Sequence, residues 1–437
     1  MNDVTVLVVD DSALVRSLLK SLLDQQPGIR CVGVAADAGE ARGLIRQLDP
    51  DVLTLDVEMP GMNGLDFLRQ LMRSRPMPVV MISSLTERGA ETTLAALELG
   101  AVDFVAKPKF ELSHGIAVSA REIAAKIRMA ARARVTPEAR PAPLLPARRG
   151  SEQSEASEIA APGHGAGAPS HGAASLRSSA VETAASAPAS GARAAYAAGS
   201  ARRSAGMHKP AASAAPAPAA MSNPMSGAAG GSGIAHGRRT TAGARSARIT
   251  HDTVIAIGAS TGGTEAIREL LCRLPANCPP VVMVQHMPAA FTGSFAKRLD
   301  QCSALKVIEA EHGQALSHGV AYLAPGHSHL RVRNQGGRLT TQLGDDAEIS
   351  GHRPSVDAMF ESLWPIAGRV IGVILTGMGR DGARAMTTLH DKGAFTYGQD
   401  ESSCVVYGMP RAAAQAGALD IVMSPTQIGE ALAALMR

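Results

Sequence analysis

Residues 253–263 read Thr-Val-Ile-Ala-Ile-Gly-Ala-Ser-Thr-Gly-Gly, an apolar run that breaks into a glycine-rich turn. A helical pattern, GTEAIRELLCRL, follows at once (263–274). Apolar strand, tight turn and helix form the opening unit of a parallel α/β sheet. Gly258-Ala259-Ser260-Thr261-Gly262 also fits G-x-S-x-G, where a serine on a sharp turn presents its hydroxyl beside a backbone N–H. Glycine and serine are ordinary turn residues, so the turn by itself is equally a plain connection. A phosphate cradle is the weaker reading, because no G-K-[ST] follows and no acid stands about 20 residues on.

The same rhythm continues to the C-terminus. Strands are expected at TVIAIGA, PVVMVQH, GVAYLAPG, RVIGVILTG and AFTYGQD, and helices at SVDAMFESLWPIA and QIGEALAALMR. It also occupies the N-terminal 134 residues, with strands TVLVVD, RCVGVA, VLTLD, PVVMIS and DFVAK alternating with helical segments such as SALVRSLLKSLLDQ. Between them, residues 135–248 are dominated by Ala, Ser, Gly and Pro, and no acid occurs between Glu182 and Asp252. Such a stretch cannot bury enough apolar surface to offset its ordering entropy, so it is read as a disordered linker. The expectation is two doubly wound parallel-sheet α/β domains, 1–134 and 249–437, joined by that linker.

Composition narrows the partners. A net charge of +4 is too mild for a dedicated nucleic-acid binder, and 3% aromatic residues leave little for base stacking. The five cysteines show no C-x-x-C pair and no zinc spacing, and read as thiols in a reducing compartment. An acidic N-terminus and the lack of an apolar run near about 18 residues point to a cytoplasmic protein with no direct membrane insertion.

In a parallel sheet the carboxyl ends of the strands gather at one edge, where ligands bind. In the first domain that edge collects Asp10 and Asp11, Asp56, Ser83 and Lys107. Three carboxylates there repel one another unless a hard cation such as Mg²⁺ sits among them. Asp56 is then a nucleophile toward a phosphoryl donor, with Lys107 and Ser83 holding phosphoryl oxygens. In the second domain the same rule gathers Ser260, His286 and Asp381. A histidine can take the serine proton near neutral pH, and an aspartate can fix its tautomer. His312, His327, His329, His352 and Asp357 are rivals for those roles, and His352 and Arg353 are also candidate substrate-pocket residues. Asp357 stands near a helix start, where an acid favours the dipole.

Two resemblances follow from longer motifs. VVDDS, LDVEMPGMNG, MISS and GAVDFVAKP resemble the receiver domain of two-component response regulators, a flavodoxin-like fold. That resemblance implies Asp56 as phospho-acceptor, with Asp10, Asp11, Asp56 and the Glu58 carbonyl around Mg²⁺. It further implies Ser83 as switch hydroxyl, Phe104 as switch aromatic, Lys107 as phosphate partner and a histidine kinase as phosphodonor. IGASTGGTEAI, VVMVQHMP, YLAPGHSHL, HRPSVDAMF, VILTGMGRDGA and QDESSCVVYGMP resemble the catalytic domain of chemotaxis protein-glutamate methylesterases, a Rossmann-like fold. That implies hydrolysis of glutamyl γ-methyl esters on chemoreceptor helices with release of methanol, and deamidation of receptor glutamines. No cofactor is implied for the ester hydrolysis. The implied triad falls on Ser260, His286 and Asp381, with oxyanion donors at the N–H groups near Thr261 and Met378. In that family the unphosphorylated receiver is thought to cover the cleft. Family linkers are short, however, and a coil of the length of 135–248 would span about 60 Å, so weaker inhibition is expected here.

Overall fold

A computed structural model describes residues 3–83, 86–107, 113–135 and 246–437, except for the side chains of 87–88 and 113–119. The segment read as a linker lies outside the described residues, apart from its margins at 135 and 246–248. The described residues fall in one compact unit.

The N-terminal lobe alternates β1 (Val4–Val9), α1 (Ala13–Asp24), β2 (Ile29–Ala35), α2 (Ala38–Leu48), β3 (Val52–Asp56), α3 (Gly64–Ser74), β4 (Val79–Ser83), α4 (Glu87–Glu98), β5 (Asp103–Ala106) and α5 (Ser113–Ala130). Its five strands run parallel in the order β2-β1-β3-β4-β5. All residues of β3 and β4 are buried, as strands covered by helices on both faces require. The helices start where short polar side chains can cap them: Ser12, Asp37 and Asn63 each accept a first-turn backbone N–H.

The C-terminal lobe runs β6 (Val254–Ala259), α6 (Gly263–Leu271), β7 (Val281–Gln285), α7 (Ala289–Cys302), β8 (Lys306–Glu309), β9 (Val320–Leu323), β10 (His329–Gln335), β11 (Arg338–Gly344) and α8 (Val356–Ser362). It continues through β12 (Val370–Ile374), α9 (Ala383–Asp391), β13 (Phe395–Gln399), α10 (Met409–Gln415), β14 (Ile421–Met423) and α11 (Pro425–Ala434). Seven strands form a parallel sheet ordered β14-β13-β12-β6-β7-β9-β8, and β10–β11 stand apart as an antiparallel hairpin. The chain winds outward from β6 through β7, then restarts at β12 on the opposite side. The switch point of the sheet therefore lies at β6, where a ligand crevice belongs.

Two boundaries differ from the expectation. The helix read across SVDAMFESLWPIA ends at Ser362, and Trp364–Arg369 forms a 3₁₀ turn containing Pro365, which has no N–H to continue an α-helix. α11 begins two residues earlier than QIGEALAALMR, because Ser424 and Gln427 close a capping box with Pro425 at the first helical position. Among the described residues no helix is long and apolar enough to cross a membrane.

The two lobes share a core. Phe104 on β5 meets Phe291 on α7 with ring centroids 4.3 Å apart, and both rings are buried. Glu98 at the end of α4 pairs with Arg298 of α7, and Arg134 donates to the Glu401 carbonyl at 3.0 Å.

Candidate active site and phospho-acceptor pocket

β6 lies between β12 and β7, with Ile374 opposite Gly258 and Ala259 opposite Gln285. Ser260 and His286 thus leave neighbouring strands at the same level, and His286 N–H donates to the Ala259 carbonyl at 3.2 Å. The backbone of Ser260 is held on both sides. Its N–H donates to the Thr376 carbonyl at 3.0 Å, and its carbonyl accepts from Gln285 Nε2 at 2.8 Å. Gly262 begins α6 with φ +74°, and a Cβ there would stand 2.6 Å from Val405 Cβ. Gly377 leaves room for the serine, since a Cβ on it would come within 2.7 Å of Ser260 Cβ. Gly262→Ala is accordingly expected to destabilise the C-terminal lobe by about 1–3 kcal/mol, read as a shift in its denaturant midpoint.

Asp381 lies in the loop after β12 and is buried. Its Oδ2 bonds His286 Nε2 at 2.8 Å and accepts Val356 N–H at 2.7 Å. Its Oδ1 accepts the Ser355 hydroxyl at 2.8 Å and Asp357 N–H at 3.0 Å. Burial alone would raise this carboxyl. The His286 hydrogen bond and charge, with the two backbone N–H groups, outweigh it and hold the group below the ordinary aspartate value. An ionised carboxylate only accepts, so the proton of this bond belongs to His286 Nε2. The Nδ1 of the same ring is buried and has no hydrogen-bond partner among the described residues. His352 stacks on the ring, centroids 3.8 Å apart and planes 17° from parallel. Burial and then the neighbouring His286 push His352 down to about 4, so it stays neutral near pH 7.

The remaining candidates fall into place around this group. The N–H groups of Thr261 and Met378 form no hydrogen bond among the described residues, and Met378 is 40% exposed at the rim. Arg353 is exposed, and its guanidinium donates to the Asp345 carbonyl at 2.7 Å and to that of Asp346 at 3.3 Å. Asp357 is turned toward α9: its Oδ1 accepts Ala385 N–H at 2.9 Å and its Oδ2 the Ser350 hydroxyl at 2.7 Å. His329 bonds the Ala347 carbonyl and accepts Ser355 N–H. His312 lies at the hairpin, against Leu343.

Ser355, Gln285 and Thr376 were absent from the candidates read in the sequence. Ser355 was within reach, since a serine before an acid-bearing apolar run is a helix-cap signal. Asp103 was also missed. From β5 of the N-terminal lobe its Oδ2 accepts the Thr261 hydroxyl at 2.5 Å, one residue from Ser260. Its Oδ1 accepts from Lys126 Nζ at 3.0 Å.

In the N-terminal lobe, the carboxylate oxygens of Asp10, Asp11 and Asp56 come within 4.8 Å of one another. Lys107 Nζ lies 2.7 Å from Asp56 Oδ2 and 3.2 Å from Asp10 Oδ2. Asp56 Oδ1 accepts the Glu58 N–H at 3.3 Å. Burial first, and then the charge of Asp10, raise Asp56 to about 6 against the opposing pull of Lys107. Asp10 Oδ2 is buried and accepts no hydrogen bond of good geometry, as expected where a further cation belongs. An all-oxygen donor set of this kind fits Mg²⁺. Ser83 Oγ takes a 2.7 Å bond from the Thr93 hydroxyl, on the α4 side of the pocket.

One lobe carries an acidic, oxygen-lined pocket beside a lysine, and the other a serine next to an imidazole–carboxylate pair. Residues 6–115 match the response regulator receiver domain family, and residues 255–432 match the CheB methylesterase family. The protein-glutamate methylesterase/protein-glutamine glutaminase of Methylobacillus flagellatus is 42% identical over 96% of this chain and 93% of its own. The one from Ralstonia nicotianae is 44% identical over 98% and 94% respectively. The crystal structure of the Thermotoga maritima CheB methylesterase catalytic domain, at 39% identity, covers 42% of this chain and 98% of that one, with a TM-score of 0.41. The chain belongs to the protein-glutamate methylesterase/protein-glutamine glutaminase family and is a hydrolase with a receiver domain.

Proposed function

We propose that this protein hydrolyses glutamyl γ-methyl esters on chemoreceptor helices, releasing methanol, and deamidates receptor glutamines, with Ser260 as nucleophile and phosphorylation of Asp56 as the control. The observation that carries the reading is the His286–Asp381 pair beside Ser260. With the proton held on Nε2 by Asp381, Nδ1 is the free base. It takes the Ser260 hydroxyl proton as Oγ attacks the ester carbonyl carbon. The oxygen that gains charge is held by the N–H groups of Thr261 and Met378. Nδ1 returns the proton to the departing methoxy oxygen, and methanol leaves. Water, deprotonated by the same nitrogen, then splits the acyl-serine to give glutamate. A glutamine side chain follows the same steps with ammonia as leaving group. His352, neutral and stacked, keeps the ring in plane and water off its face.

The receiver controls access through its seam with the C-terminal lobe. Asp103 engages Thr261 next to the nucleophile, and Phe104 is seated on Phe291. Asp10, Asp11, Asp56 and the Glu58 carbonyl would hold Mg²⁺, which neutralises charge on the incoming phosphoryl group when bound. Asp56 supplies the attacking carboxylate oxygen, and Lys107 and Ser83 hold the transferred oxygens, with a histidine kinase as donor. Moving Lys107 and Ser83 toward a phosphoryl group disturbs β5 and α4, two of the elements that touch the C-terminal lobe.

The activity is tested with methylated chemoreceptor membranes and with receptors bearing glutamine at the same positions. Methanol from the first and ammonia from the second are expected, and neither product would overturn the reading. Phosphoryl label from a small phosphodonor should appear once per chain, require a divalent ion and vanish in Asp56→Ala. Because burial and Asp10 raise the metal-free Asp56 to about 6, labelling is expected to need more divalent ion as pH falls through that value. Label that persists in Asp56→Ala counts against this assignment.

A further inference from the structure

Five free cysteines are present, and Cys31, Cys278 and Cys404 are buried. Cys272, at the end of α6, and Cys302, the last residue of α7, are half-buried and meet each other. The Cys272 thiol donates to the Cys302 carbonyl at 2.9 Å, and the Cys302 thiol reaches back to the Leu299 carbonyl at 3.6 Å. The Cys272 sulfur thus rests against the backbone of Cys302. Neither takes part in the hydrolytic chemistry. We propose that Cys272 and Cys302 form a peroxide-responsive dithiol, with Cys272 attacking and Cys302 resolving, that ties α6 to α7 by a reversible disulfide.

The surroundings assign the two roles. The neighbouring Cys302 side chain, more than burial opposes it, brings Cys272 down to about 7, with Arg268 and Arg273 favouring the thiolate and Glu265 opposing it. Cys302 is driven the other way, first by Cys272 and then by burial, with Glu98 of α4 adding to the rise and Arg268 against it. Burial pushes both Cys278 and Cys404 up to about 12, so neither competes as a nucleophile. The Cys272 thiolate attacks one peroxide oxygen, the O–O bond breaks, and a sulfenic acid and a water form. Cys302 sulfur then attacks the sulfenic sulfur. The S–S bond forms, the S–O bond breaks, and the oxygen leaves as water with the Cys302 proton. Two thiols lose two electrons and one peroxide becomes two waters.

The location gives the linkage a consequence. α6 starts at the Ser260 turn and α7 just after His286, and α4 of the receiver packs on both helices. Arg298, one turn before Cys302, holds Glu98 of α4. A disulfide here fixes the floor on which the receiver sits.

The test uses the reduced full-length protein, treated with hydrogen peroxide at about pH 7.5, quenched with an alkylating agent and digested with trypsin. The expected product is Glu269–Arg273 joined to Leu299–Lys306, reversed by a reducing dithiol. Loss of the Cys272 thiol should be at least about tenfold faster than loss of Cys31, Cys278 or Cys404. In Cys302→Ser the reaction should stop at a Cys272 sulfenic acid that a dimedone probe labels, and in Cys272→Ser the Cys302 thiol should remain. In the wild-type protein, oxidation of Cys272 to sulfinic acid without the linked peptide would overturn the proposal. So would linkage to another cysteine, or equal rates at all five.

Discussion

Asp381→Asn is expected to lower ester hydrolysis by about 10⁴-fold, while Asp357→Asn stays within about tenfold of wild type. The two residues are near neighbours in the fold, and the contrast rests on where their carboxylates point. Asp381 ends on His286 Nε2 and is surrounded by four donors, whereas Asp357 ends on α9 and Ser350. An amide at position 381 keeps the size but offers an acceptor and a donor in place of two acceptors. The tautomer that frees Nδ1 is then no longer enforced. His286→Ala should cost as much as Asp381→Asn or more, and the double variant should cost little beyond the worse single one, because the residues act as a unit. Rates with methylated receptor membranes measure this. A collapse in Asp357→Asn with Asp381→Asn near normal would reassign the acid.

Removing Asp103 and Glu98 together is expected to raise hydrolysis by the unphosphorylated protein. The Asp103–Thr261 contact is a buried bond to a charged group, worth about 1.5–3 kcal/mol, and the half-exposed Glu98–Arg298 pair is worth up to about 1 kcal/mol. Losing both shifts the docking equilibrium by about 10- to 100-fold or more. The gain in rate is bounded by the fraction of molecules that were closed. Fully phosphorylated protein should turn over at the same rate with or without the two substitutions. A basal rate unchanged by Asp103→Ala/Glu98→Ala would mean that this seam does not limit access to Ser260.

Much of this site could be read in the sequence because it sits at strand ends. Ser260, His286 and Asp56 each follow a short apolar run, and a parallel sheet brings such ends to one edge whatever the loops do. The choice of Asp381 over Asp357 needed more, since both lie near glycines or helix starts, and only the direction of a side chain separates them. Asp103 was not legible by the same rule. It opens β5 instead of closing it, and its partner Thr261 is 158 positions away across a docked surface. The β10–β11 hairpin had a local signal that went unused: Gly336 and Gly337, both with positive φ, form a two-residue turn between Gln335 and Arg338. Of the adjacent pair His352 and Arg353, the first stacks on His286 and the second turns its guanidinium to the Asp345 carbonyl, because neighbouring residues outside a helix point in different directions.

The central claim is that Ser260 is the nucleophile, and methanol release tests it most directly. Full-length wild-type protein and Ser260→Ala are compared on chemoreceptor membranes carrying labelled methyl esters, with the receiver phosphorylated in both so that the seam does not limit either. The account predicts steady methanol release by the wild type and a loss of at least about 10³-fold in Ser260→Ala, with folding unchanged. Release by Ser260→Ala within about tenfold of wild type would contradict it.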